Sequence, residues 1–317
     1  GHRDDRPIQR GFPVAAGAAF LLNGVFTFLP AILVFGLVPI LEFVFRPDHS
    51  NFDKKEKQSR ANDAFFDYFL YALVPVLWGV VVFFLFSISV PGLSWFELLE
   101  RTFSMGVLGA IAINLGHELG HRTNRFEQLL GEASLLISLE NHFLPYHNLG
   151  HHRNVATPND PATARRNEWV FTFWFRSQFG SYRQAWQFEI EKQRRSGRSP
   201  FSLHNRMVSY TIAQISLLTA VGFAFGPQTL AAFIASAVFG KLMLETVNYI
   251  EHYGLTRELK ADGKYERVLP HHSWNSDHVL GRSIFLELSR HSDHHFKASK
   301  HYQLLDSDPN SPQMPTG

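Results

Sequence analysis

Phe103-Ser-Met-Gly-Val-Leu-Gly-Ala-Ile-Ala-Ile-Asn-Leu-Gly-His-Glu-Leu-Gly-His121 is the stretch on which the fold turns. Its first part is apolar enough to sit in a bilayer, and its end carries two histidines with a glutamate between them. Residues three and four apart share one face of a helix, so His117 and His121 point the same way. A membrane-crossing helix needs ~20 mostly apolar residues. The segment 103–121 therefore reads as a span that delivers two imidazoles to one membrane surface.

Working outward, further apolar runs occupy 12–45, 72–90, 207–225 and 230–250. The first is broken by Asn23-Gly24, Pro30 and Pro39; it is too long for one straight pass and short for two, and reads as a tilted or trimmed hairpin. The last two are joined by Gly226-Pro227-Gln228-Thr229. A mean hydropathy of −0.10 hides this pattern, because Phe-rich apolar blocks alternate with strongly polar ones. So many apolar runs in one chain argue against the buried helices of a soluble protein. The predicted fold is an all-α, polytopic transmembrane bundle of about six helices, one domain over 1–317. The opening Gly1 reads as a trimmed start.

Lys and Arg number five in 46–71, twelve in 121–206 and eight in 251–317, against one in 91–102 and none in 226–229. The positive-inside rule puts the first three segments in the cytoplasm. Residues 121–206 and 251–317 are thus expected to form a cytoplasmic, histidine-rich cap, with the chain in a bacterial cytoplasmic (inner) membrane. A net charge of +2 gives no reason to expect a nucleic-acid partner. The absence of cysteine excludes disulfides, thiolate metal sites, Cys nucleophiles and a built-in rubredoxin or iron–sulfur centre.

The 17 histidines are clustered. His117-Glu-Leu-Gly-His121 is followed by His147-Asn-Leu-Gly-His151-His152 and His291-Ser-Asp-His294-His295, all on the same predicted side. On a regular helix the first box offers two imidazoles on one face and the third offers three. The second offers two, with His152 turned about one residue further. Neutral imidazole suits iron, copper and zinc, and eight box histidines exceed the needs of one ion, so two metals are the simplest count. His2, His49, His204 and His301 belong to no such pattern and read as solvated or capping residues. His142 reads as a core histidine. His271, His272 and His278, in Pro270-His-His-Ser-Trp-Asn-Ser-Asp-His278, read as a direct ligand, a supporting or a docking group. Ligating imidazoles usually give their other N–H to a carboxylate or carbonyl; Asp160, Glu118, Glu251 and Asp293 are the nearby acids, the first three carried forward as site residues.

These boxes resemble those of the membrane alkane 1-monooxygenases, relatives of membrane fatty-acyl desaturases and hydroxylases and of xylene monooxygenase. The resemblance runs over nearly the whole chain in order. It is carried by Asn114-Leu-Gly-His-Glu-Leu-Gly-His-Arg122, His147-Asn-Leu-Gly-His-His-Arg-Asn-Val-Ala-Thr-Pro-Asn-Asp-Pro-Ala162, Asn248-Tyr-Ile-Glu-His-Tyr-Gly-Leu255, Pro270-His-His-Ser-Trp-Asn275 and Arg290-His-Ser-Asp-His-His295. The Asn248–Leu255 stretch points to the alkane branch and implies that His252 is a ninth metal ligand, which spacing alone does not show. Two departures bear on substrate range: Tyr146 precedes His147 where the family usually has Glu, and Phe296-Lys-Ala-Ser-Lys300 follows the third box.

The resemblance implies O2-dependent hydroxylation of the terminal carbon of alkanes to 1-alkanols at a non-haem centre of two Fe ions. It also implies a rubredoxin as electron donor, itself reduced by an NADH-dependent reductase. Basic residues are the expected docking face for an acidic donor, with Arg165 and Arg166 nearest the second box in sequence; Lys192–Arg198 is richer in charge but doubles as a topology signal. The alternatives are a fatty-acyl desaturase or hydroxylase, an aromatic-methyl hydroxylase, a membrane zinc metalloprotease using His117, Glu118 and His121, and a membrane iron carrier. The protease would leave six box histidines unexplained, and the carrier would need acidic residues along the spans, where only Glu245 lies well inside the last two.

Overall fold

The computed structural model describes residues 28–315, and among them the chain is helical, with only two isolated β-bridges and no strand. In chain order the helices are α1 (Leu29–Val44, with a π-helical turn at Leu33–Leu37), α2 (Lys54–Ala61), α3 (Phe65–Ile88), α4 (Trp95–Gly120) and α5 (Arg125–Ile137). They continue with α6 (Phe143–Tyr146, running on through His147–His151 and His152–Asn154), α7 (Val170–Arg195), α8 (Arg206–His252), α9 (Val279–Ile284) and α10 (His291–Phe296). Residues 12–27 lie outside the described part, so the hairpin expected over 12–45 is seen only as α1.

Among the described residues three helices, α3, α4 and α8, are long and apolar enough to cross a membrane. α4 begins earlier than the apolar run 103–121 because Ser94 and Glu97 form a capping box. The Ser94 hydroxyl accepts from Glu97 N–H, and the Glu97 carboxylate accepts from Ser94 N–H, which satisfies end groups that have no partner within the helix. α4 is the central helix: 72% of its apolar window is buried, against 33% for α3 and α8.

α8 is two antiparallel arms rather than one rod. Gly226 adopts φ 84°, a left-handed conformation that side chains disfavour, and Pro227 removes a backbone donor at the same point. The two ends of α8 meet the histidine-bearing end of the bundle, where Met207 packs with Tyr146 and His252 stands against His151. The bend reaches the opposite end, where the Phe225 ring lies 5.1 Å from that of Phe86. The break falls within the turn expected at 226–229.

The segment 121–206, expected wholly in a cap, instead sends α5 back down the bundle between α3 and α4. Charged residues at Arg125, Glu127 and Glu132 obscure this 13-residue helix in the sequence, yet it is built for close packing. A Cβ on Gly116 would stand 2.9 Å from Gly131 O, and one on Gly131 would stand 3.0 Å from Gly116 O. The two backbones therefore touch, in the manner of small-residue contacts between membrane helices. Trp78 Nε1 donates to Ala133 O at 3.1 Å, so α3 closes the other side.

At the tip, Ser138 Oγ occupies the space a Cβ on Gly109 or Gly240 would take, and Leu139 turns the chain at φ 54°. α6 then climbs back to the histidine end. Non-helical backbone survives at this depth only where protein surrounds it. Here Glu140 N–H donates to Leu135 O (2.9 Å), and Asn141 Nδ2 donates to Glu132 O (2.6 Å). The Glu140 carboxylate pairs with Lys241 and accepts from Gln178 Nε2.

The close α4–α5 contact carries α6 and the second histidine box. Gly116→Ala is expected to lower stability by about 1–3 kcal/mol through overpacking against backbone, read as a lower thermal midpoint in detergent. Gly79→Ala on α3, whose Cβ would meet nothing within 4 Å, is the control and should leave the midpoint unchanged or raise it slightly, since Ala favours helix over Gly. Equal midpoints for the two variants would contradict this packing.

Candidate metal centre

Among the described residues, nine histidines converge where the ends of α4, α6, α8 and α10 meet. They form two groups, His117, His121, His147, His152 and His294 in one, and His151, His252, His291 and His295 in the other, with the ligating atoms of each group within 4.8 Å of one another. His117 and His121 come from the last turn and C-cap of α4. His291 and His295, at i and i+4 on α10, enter the second group while His294 turns to the first.

The second box is distributed by a local departure from α-helix. His147–His151 is a π-helical turn, in which the backbone pairs i with i+5. His152 thereby comes under His147, with Nε2 atoms 2.9 Å apart, while His151 is directed to the other group. On a regular helix His152 would stand off that face, as the sequence led us to expect. His252 closes the second group, its Nε2 3.2 Å from that of His291.

Facing Nε2 atoms also lie 3.0 Å apart in His117–His294, 3.1 Å in His117–His121 and 3.2 Å in His151–His295. Burial holds the imidazoles of His147, His152, His291, His294 and His295 well below the usual histidine range, and pushes His121 down to about 4. These six rings are thus neutral, the form that ligates. Neutral imidazoles protonated at Nδ1 turn only lone pairs towards each centre, an arrangement that a cation satisfies. The donor set is imidazole with no thiolate, which fits non-haem iron among the metals that imidazole binds.

Asp160 supplies the outer support. Its Oδ2 accepts from His151 Nδ1 (2.9 Å) and from Thr163 Oγ1 (2.6 Å), and its Oδ1 accepts from the Tyr146 hydroxyl. Burial alone would raise the Asp160 carboxyl, but His151 and these hydrogen bonds outweigh it and bring it down to about 2. Tyr146, read from the sequence as a departure from the family pattern, thus joins the site through Asp160. The sequence marked it only as an oddity.

The other acids play different parts. Glu118 is held by Arg122 Nη2 at 2.9 Å and faces Tyr302 N–H, with no imidazole among these partners. Asp293 takes the Lys300 ammonium and Asp306 N–H. Glu251 Oε2 lies 3.3 Å from His291 Nε2, on the ligating side of that ring.

Outside the nine, His142 is a buried core residue against Ser181, as expected. His204 is exposed, whereas His49 pairs with the buried Asp277 and His301 packs on the Arg122 guanidinium instead of being simply solvated. His272 accepts from Leu269 N–H at Nδ1, which leaves the proton on Nε2 facing Glu266 and removes its lone pair from metal binding. His278 bonds Ser276, and neither it nor His271 joins the nine.

Arg290, fully buried, was quoted in the sequence only as the residue before the third box. Its guanidinium ties Asp277 to the carbonyls of Asp48, Ser50 and Leu305, fixing the start of α10. Sequence spacing carries no signal for contacts so distant along the chain.

A helical membrane scaffold carrying nine converging histidines defines a class, the membrane-bound non-haem metal enzymes with histidine boxes. In keeping with it, residues 94–308 match the fatty acid desaturase family model. Among known proteins, the chain is 36% identical to the alkane 1-monooxygenase of Pseudomonas putida over 93% of its own length and 73% of that protein's. It is 37% identical to alkane 1-monooxygenase 1 of Alcanivorax borkumensis over 91% and 72%. It is 29% identical to the xylene/toluene monooxygenase hydroxylase component of Pseudomonas putida, over 66% and 55%. The chain belongs to the alkane 1-monooxygenase family, as its boxes led us to expect, and is an oxidoreductase with a histidine-rich metal centre.

Asp160→Asn keeps the shape but gives His151 a weaker acceptor. It is expected to reduce metal affinity or turnover by about 10–100-fold, measured by chelator competition and activity, with Tyr146→Phe costing less. Unchanged affinity and turnover in Asp160→Asn would remove Asp160 from the account.

Proposed function

We propose that this chain hydroxylates the terminal carbon of alkanes to 1-alkanols with O2 at two irons, using electrons from a rubredoxin. The observation that carries this reading is the division of nine cysteine-free imidazoles into a group of five and a group of four. One ion would leave four donors without a partner.

The overall change is RH + O2 + 2 electrons + 2 protons to ROH + H2O. The iron supplies the O2 and C–H chemistry when bound; the chain supplies position, dryness and fixed tautomers. His117, His121, His147, His152 and His294 would hold one ion, and His151, His252, His291 and His295 the other. Asp160 keeps the His151 proton on Nδ1, so that Nε2 stays free to ligate. Glu251 places a carboxylate beside the four-histidine group.

Below the centre, the Phe143 ring stacks on His147 with centroids 4.4 Å apart, and Ile113, Leu135, Leu144 and Leu244 pack around it. An alkane has no polar handle, so recognition in such surroundings rests on burial, at roughly 0.8 kcal/mol per CH2. Apolar pockets discriminate one methylene by only about 10–200-fold, so a range of chain lengths is expected. The likeness to a xylene/toluene hydroxylase component keeps an aromatic methyl group as a second substrate reading.

Incubation of the iron-loaded chain with donor, O2 and an equimolar mixture of octane and p-xylene tests both. The proposal expects 1-octanol as the main product. Methylbenzyl alcohol as the main product would transfer the assignment to the aromatic reading, and an alkene product would contradict hydroxylation.

The chain has no cysteine to hold a redox centre of its own, so the electrons are expected from a separate protein. Arg165 and Arg166 are exposed, and Arg166 flanks Gly254, just beyond His252. An acidic donor steered to them is screened within ~8 Å at physiological salt, and steering acts mainly on the association rate. Reversing both charges should raise the donor concentration needed for half-maximal rate, most at low salt, and leave a dithionite-driven single turnover unchanged. An unaltered donor dependence would place the docking face elsewhere; turnover with NADH alone would remove the separate donor.

A further inference from the structure

α7 is part of the region that sequence assigns to an aqueous cap, yet its surface does not look like one. Along one stripe, Phe171, Phe175, Phe179 and Tyr182 are exposed by 58, 68, 73 and 44% of their surfaces, preceded by Trp169 at 75%. One turn further the exposed stripe becomes polar, with Arg183 and Gln187, and ends in the exposed Arg194, Arg195 and Arg198. The opposite face is buried and mixed, with Phe173 and Ala185 among Ser177, Ser181, Glu189 and Gln193. A face of this size without a cover, apolar at one end and basic at the other, marks a contact surface.

The inner face shows how α7 sits against the bundle. Its aromatic half reaches down α8: Trp174 Nε1 donates to Thr246 Oγ1 (3.1 Å), and Gln178 Nε2 donates to Glu245 Oε1 (2.9 Å). Glu245 stands about 10 Å along the helix below His252, at ~1.5 Å per residue. The basic half stays level with the first residues of α8, where Gln193 Nε2 donates to His204 O and Glu189 accepts from Arg206 N–H. The stretch from Trp174 to Gln178 is therefore the deeper part of α7 against α8, while the residue before Trp169 stays nearer His252, where Glu168 O accepts from the Tyr249 hydroxyl. Beside the aromatic stretch, Val247 and Ile250 of α8 are also exposed, so the aromatic stripe continues the apolar outer surface of a membrane-spanning helix.

We propose that α7 is immersed in the bilayer boundary: its aromatic half lies among the acyl chains and its basic end emerges at the phosphate level. This is the depth order expected of an interfacial amphipathic helix, with aromatic rings on the lipid side and Lys and Arg at the surface. The immersed half brings the acyl region alongside the stretch of α8 that ends in His252, so a membrane-dissolved molecule approaches the centre without entering water.

The absence of native cysteine makes the test direct, since single-cysteine variants take one spin label each. Labels are placed at Phe175→Cys and Phe179→Cys, with Val82→Cys, exposed within α3, as the lipid reference and Arg194→Cys as the water reference. The full chain is reconstituted in phosphatidylethanolamine–phosphatidylglycerol nanodiscs. Collision rates are measured with O2, which partitions into lipid, and with a water-soluble nickel chelate. The ratio of O2 to nickel collisions should rise from position 194 to positions 179 and 175 and there approach that at position 82. A ratio at 175 and 179 equal to that at 194 would overturn the proposal in favour of a water-facing surface. Labels closed to both reagents would overturn it in favour of a protein cover, which dipolar broadening would identify as a second copy. A nickel-accessible label at position 82 would instead overturn the membrane reading itself.

Discussion

Nine imidazoles turned nitrogen to nitrogen inside protein are the constraint around which the chain is arranged. Their Nε2 atoms face one another at 2.9–3.2 Å away from water, a crowding of polar atoms that a cation between them would satisfy. No single helix can present so many donors to two points. α4 contributes an i, i+4 pair from its end, α8 contributes its last residue, and α10 divides three histidines between the groups. The π-helical turn of α6 makes the remaining division, by moving His152 into register with His147 and freeing His151 for the other centre. The supports are equally scattered: Asp160 and Tyr146 behind His151, Arg290 and Asp277 behind the start of α10.

The bilayer imposes a second constraint, because backbone that leaves a helix inside it must be enclosed. The α5–α6 hairpin meets this requirement at every step. Glycines let α5 lie on α4, and the tip bonds its polar groups to Glu132, Leu135, Lys241, Gln178 and Gln214. The hairpin delivers Phe143 and the second histidine box to the centre from the membrane side. The apolar surroundings of the site and the positions of five of its histidines thus depend on one close helix contact.

Much of this was legible in the sequence, for identifiable reasons. Long apolar runs follow from bilayer thickness, which is why α3, α4 and the two arms of α8 were placed, and Gly226-Pro227 marked the bend. Histidine spacing on a regular helix gave eight of the nine converging residues, and resemblance gave His252. What escaped was local irregularity and long-range contact. A π-helical turn reassigns His151 and His152 without a compositional sign. α5 hides its membrane depth behind surface-type charges that are satisfied by partners far along the chain, as Glu127 is by Tyr71. Proximity in sequence proposed Glu118 and Asp293 as supports for the imidazoles; the fold gives them instead to Arg122 and Lys300.

The division into two centres is the central claim, and counting metal in paired variants tests it most directly. Iron content per chain, measured together with the nitrogen shell seen by X-ray absorption, should be two in the intact protein. His121→Ala in the five-histidine group and His291→Ala in the four-histidine group should each lower it towards one while the other centre keeps its imidazole shell. A single iron in the intact protein, or one insensitive to either substitution, would contradict the account.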